Sequence, residues 1–117
     1  MATPTQQQVA QDLGVAIKQS AKELGVELRL DLANVTLYAA ERTAYLASLV
    51  GQAGYDEAVI AERDNVVLRA GISSVQSADK LDQRIVGLIY STLLFGAQAL
   101  AGGSQPAGGG GVGPVVS

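Results

Sequence analysis

Cysteine, histidine and tryptophan are absent from this 117-residue chain, and Phe95 is its one phenylalanine. Without cysteine there is no disulfide framework and no thiolate chemistry, which accords with a reducing compartment. Without histidine the chain lacks the commonest general base, the commonest transition-metal ligand and the usual switch near neutral pH. Positive charge is sparse: eight Lys and Arg stand against eleven Asp and Glu, a net charge of −3. No basic patch is available to neutralise phosphates, so no nucleic-acid partner is expected. The first twenty residues are polar, without the basic and apolar regions of a secretory signal. The expected location is therefore cytoplasmic or virion-associated, not secreted through a signal peptide. Asn34-Val35-Thr36 matches the glycosylation pattern. Without a signal peptide it is read as chance.

Charge is missing altogether from the last part of the chain. No charged side chain follows Arg84, and Ile85–Ala101 is an uninterrupted run of uncharged residues. Such a run leaves water in one of three ways: inside a helical bundle, at a subunit interface or in a membrane.

What is present points to helix. Ala and Leu are abundant, and both favour it. Thr3-Pro4 suits a helix start, and the apolar residues Val9, Leu13, Ile17 and Leu24 form one stripe ahead of Gly25, so a helix is expected over Pro4–Leu24. Val26-Glu27-Leu28-Arg29-Leu30-Asp31-Leu32 alternates apolar and polar residues. Period two indicates an extended segment, and the chain offers no comparable strand to pair with it. It is expected to be a connector that lays its leucines on the bundle, with an intersubunit strand as the alternative. A second helix is expected after Asp31 or Asn34 and up to Gly51, with Tyr38, Tyr45 and Leu49 packed in the core. A third spans Tyr55–Ala70, with Arg63 near its buried stripe and Glu62, Asp64 and Arg69 in solvent. A fourth starts near Ser77 and runs through the uncharged stretch for about 24 residues, roughly 36 Å. The remaining chain, 102–117, holds half of the glycines and reads as a flexible arm with a small apolar end at Val112, Val115 and Val116.

The expected fold class is all-α: a bundle of about four helices over 1–101, with the extended segment at 26–32 and the Gly-rich tail at 102–117. Nothing in this pattern carries catalysis. The carboxylates lack the Glu-x-x-His partners of a two-metal helical site. The four-glycine run lacks the Lys-Ser/Thr of a phosphate loop. Ser48, Ser73, Ser74 and Ser91 have no base beside them. The chain is expected to be no enzyme and to hold no cofactor or metal.

One spacing has mechanical meaning. Gly87-x-x-x-Ser91 and Thr92-x-x-x-Gly96 put small residues on successive turns, where another helix can approach closely. The expected interface residues are Gly87, Ser91, Thr92, Leu93, Gly96, Val112, Val115 and Val116. The expected function is a non-enzymatic, self-assembling structural protein, of the kind found as a minor virion or head–tail component of a bacterial virus. Its partners would be further copies of the chain or other structural subunits. The alternative is a small membrane-inserting protein, holin-like or ejected from a virion, with its span at 85–103. Lys80 and Arg84 would then flank the span on the cytoplasmic side.

Overall fold

A computed structural model describes residues 5–103. They form four α-helices and no strand: α1 (Gln6–Leu24), α2 (Leu32–Ala47), α3 (Tyr55–Arg69) and α4 (Lys80–Gly103). Capping chemistry sets the boundaries. The Thr5 hydroxyl accepts from the Gln8 N–H at 3.1 Å, so α1 begins two residues after the expected Pro4, which lies with Thr3 outside the described residues. Gly25 ends α1 at φ 66°, a left-handed geometry that costs glycine nothing. Asp31 caps α2 by accepting from the Asn34 N–H at 3.2 Å. Asp79 accepts from the Leu81 and Asp82 N–H groups at 2.8 and 3.2 Å, which starts α4 at Lys80 rather than near Ser77. The helix passes the expected Ala101 boundary and reaches Gly103.

The helices alternate in direction. Glu23 of α1 meets Arg84 of α4, and Val9 lies beside Gly96, so these two helices are antiparallel. Arg42 meets Glu62 and Asn34 meets Arg69, which makes α2 and α3 antiparallel. The Tyr55 hydroxyl donates to the Leu94 carbonyl at 2.9 Å, tying the start of α3 to the far part of α4. α2 and α4 pack directly on each other. α1 and α3 each pack against α4 and α2 and do not touch one another. The bundle is thus a central pair, α2 and α4, flanked on opposite sides.

The uncharged run supplies much of the core. Leu81, Ile85, Ile89, Leu93 and Ala97 of α4 are buried at four-residue intervals, the ridge spacing by which helices of globular proteins commonly interdigitate. They meet Leu13 and Ile17 from α1, Leu46 from α2, and Val59 and Val66 from α3 in one cluster. The segment between α1 and α2 keeps its period of two. Leu28, Leu30 and Leu32 are half-buried against the core, while Glu27, Arg29 and Asp31 are exposed. This is the expected connector, apart from Val26, which stays exposed.

Candidate functional site

Small residues bring the central pair together. Ala39 and Ala40 of α2 have no exposed surface. The buried threonines Thr36 and Thr43 donate back to the Leu32 and Ala39 carbonyls, each at 2.8 Å, so their hydroxyls are satisfied within the helix. Their methyl groups face glycines of neighbouring helices. A Cβ at Gly14 would stand 3.6 Å from the Thr36 methyl, and one at Gly96 would stand 3.0 Å from that of Thr43. Each glycine is the gap into which an α2 methyl fits.

An ion pair joins α2 to α3. Arg42 Nε and Nη2 donate to the two Glu62 carboxylate oxygens at 2.7 and 2.8 Å, a bidentate fork, and the Asn65 amide donates to the same carboxylate at 3.3 Å. Burial alone pushes the Glu62 carboxyl up; the Arg42 and Asn65 hydrogen bonds outweigh it and hold the group below its ordinary value. This corrects the expectation of a solvated Glu62. Positions 55, 59, 62 and 66 share one face of α3, so Glu62 lies on the buried stripe, while Ile60 is exposed. Arg63 instead pairs with Asp64 at 3.0 Å and lies 5.9 Å from the Tyr90 ring. Of the α2 tyrosines, Tyr45 departs from expectation. Tyr38 carries the Arg69 guanidinium at 4.4 Å, and the exposed Tyr45 carries that of Arg42 at 4.7 Å. Tyr45 is thus a cation–π seat rather than a core residue, while Tyr38, half-buried against the core as expected, serves as both.

The expected interface residues divide between two faces of α4. Leu93 has no exposed surface, and Gly96 abuts Thr43 of its own chain, so both serve packing inside the subunit. Thr92 is half-buried. Gly87 and Ser91 are exposed, in line with Phe95, Gln98 and Gly102. Val112, Val115 and Val116 lie outside the described residues. The outward face of α4 from Gly87 to Gly102 is therefore uncharged over about four turns, and Phe95 stands on it 61% exposed. The outward face of α1 contrasts with it, carrying Asp12, Lys18, Lys22 and Glu23. Phe95 was not among the expected interface residues, although its spacing of four from Ser91 and eight from Gly87 places it on the same exposed face.

No family model matches the chain, and neither a curated protein nor a solved structure is similar to it. Among the described residues no group of three or more Asp and Glu is placed to hold a metal ion. Surface depressions line two stretches of the described residues. One, of about 540 Å³, runs along the connector from Val26 to Leu30, with Ile72, Leu81 and Ile85 opposite. The other, of about 700 Å³, lies between α1 and the start of α2, over Gly14 and Thr36. The titratable groups at the first are Glu27, Arg29, Asp79 and Asp82. Asp79 is occupied as the cap of α4, and Asp82 accepts from the Ser77 hydroxyl.

Proposed function

We propose that this is a non-enzymatic, self-assembling structural protein whose assembly surface is the outward face of α4. One observation carries the reading. On this face the solvent side of a long helix has no charge from Gly87 to Gly102 and presents a largely exposed phenylalanine. A face meant only for water would carry charges, as α1 does, whereas an aromatic set among small residues is the composition of an interface centre. Gly87 and Ser91 leave room beside Phe95 for a second helix. The partner is another copy of the chain or a related structural subunit. A minor virion or head–tail component of a bacterial virus is a setting in which such a small helical subunit would serve.

The absence of cysteine makes a clean test. Ser91→Cys introduces the chain's one thiol on the proposed surface, and Gln19→Cys places one on the exposed side of α1. Mild oxidation of the full-length protein should cross-link the Ser91→Cys chains and leave the Gln19→Cys chains single. Equal cross-linking of both, or of neither, would remove the α4 face from the assembly.

A second reading rests on hydropathy. Lys80–Gly102 contains an 18-residue stretch of mean hydropathy 1.6, long and apolar enough to cross a membrane by length and composition. Inserting α4 in lipid would withdraw Ile85, Ile89, Leu93 and Ala97 from the core they share with the other helices. Flotation with phosphatidylcholine vesicles separates the two readings. The assembling protein stays in the dense fractions, and a spanning protein rises with the lipid.

A further inference from the structure

The connector between α1 and α2 has the properties of a strand without a neighbour. Among the described residues, the N–H and C=O groups of Glu27, Leu28, Arg29 and Leu30 have no hydrogen-bond partner in the chain. Up to the bend at Leu30 these residues leave an open backbone edge that another strand can join. Space exists beside it: the cleft of about 540 Å³ is lined by every residue from Val26 to Leu30. The side chains already alternate as in a sheet, with Leu28 and Leu30 toward the core and Glu27 and Arg29 toward solvent. Neither Glu27 nor Arg29 forms an ion pair among the described residues.

We infer that this edge pairs with the same segment of a second copy, antiparallel and centred on Leu28. The charge pattern favours that partner, and that register over its immediate neighbours. Centred on Leu28, antiparallel pairing sets Glu27 opposite Arg29 of the other copy and Arg29 opposite its Glu27. Val26, exposed in the single subunit, falls opposite the other copy's Leu30. Sliding the pair by two residues in one sense puts Glu27 opposite Glu27. Sliding it in the other sense puts Arg29 opposite Arg29 and Glu27 opposite Asp31. Parallel pairing in register opposes like charges at both positions. Like charges directly opposite destabilise a sheet and unlike charges stabilise it, so one arrangement of the four is complementary. It is also two-fold symmetric, the commonest symmetry of contacts between identical chains. This contact uses different residues from the α4 face and does not depend on it.

Charge exchange in the full-length protein tests the pairing, in a Phe95→Glu background that removes the α4 contact. Glu27→Arg and Arg29→Glu should each weaken dimerisation about tenfold or more, because each change creates two like-charge oppositions. Mixing these two variants should restore dimers, since every opposition between them is again of unlike charge. The double exchange, Glu27→Arg with Arg29→Glu, should dimerise like the parent. These positions are exposed, and unchanged circular dichroism will confirm the folds. The dimers should also show a strand amide band in the infrared, absent from the monomeric single variants. Wild-type dimerisation by a single variant, or failure of the mixed pair to associate, would overturn the connector contact. Neither result would bear on Ser91 cross-linking, which reads the α4 face separately.

Discussion

Arg42 and Glu62 form a bidentate ion pair between α2 and α3. Glu62 is 8% exposed, so removing its partner strands a carboxylate in a poorly solvated place. Arg42→Ala is expected to cost about 3 kcal/mol, read from urea unfolding. Replacing both residues with leucine should cost less than that single change, because no unpaired charge remains. A double variant less stable than Arg42→Ala would mean that the pair itself, rather than the stranded charge, dominates. The pH dependence has a defined sign. The native carboxyl titrates below its ordinary value of 4.5. Its stabilising contribution is thus complete above that value and is lost as pH falls through the lower native one. Glu62→Gln should flatten this part of the acid limb in a urea titration across pH 2 to 6, roughly the range in which carboxylates titrate. An unchanged slope would show that Glu62 is not perturbed. The pair could not be read from the sequence, because Arg42 and Glu62 come together only when two helices are set in register. The position of Glu62 on the α3 stripe was present in the spacing, but its charge argued for solvent until Arg42 supplied a partner.

At the scale of the helix, the glycines separate by what lies above them. Gly14 has room for a methyl at ordinary contact distance from Thr36. Gly14→Ala should therefore stabilise the chain by about 0.5–1 kcal/mol through helix propensity. Gly96 lacks that room, with the Thr43 methyl at 3.0 Å from the added carbon. Gly96→Ala should be destabilising, and Thr43→Ser, which removes the opposing methyl, should recover part of the loss in a double-mutant cycle. Additive effects would show that these residues do not touch. Gly87 differs again: nothing in the chain lies within 4 Å of its added carbon. Gly87→Ala should raise the stability of the isolated subunit by about 1 kcal/mol. It should at the same time weaken association, because the methyl occupies space meant for the second helix. Stabilisation with unchanged association would make Gly87 an ordinary surface glycine. The cap at Asp31, the stop at Gly25 and the length of α4 were legible because they depend on local signals, whereas the cap at Asp79 was missed in favour of a start near Ser77. The direction faced by each small residue was not, since two overlapping small-residue patterns on one helix look alike until the partners of each face are known.

Across the whole molecule, the arrangement around α2 and α4 decides what is left for assembly. α1 and α3 flank the central pair, and neither covers the outward side of α4 between Gly87 and Gly102. The uncharged run therefore serves twice, with one face as core and the other as surface. The sequence already showed that the run had to leave water. It could not show that four-residue spacing would bury Leu93 while leaving Phe95 outside, because that follows from how three other helices pack around it. The proposed connector pairing would add a second contact of a different kind, and a subunit with two distinct contacts to its own copies builds assemblies larger than a dimer. The most direct measurement is the absolute mass, by light scattering without detergent, of the wild-type chain beside Phe95→Glu at equal concentration. Self-assembly through α4 requires that the wild type exceed its subunit mass of 12.0 kDa, and that Phe95→Glu at least halve the assembled mass with helicity unchanged. A wild type that remains a monomer, or two chains of equal mass, would contradict it.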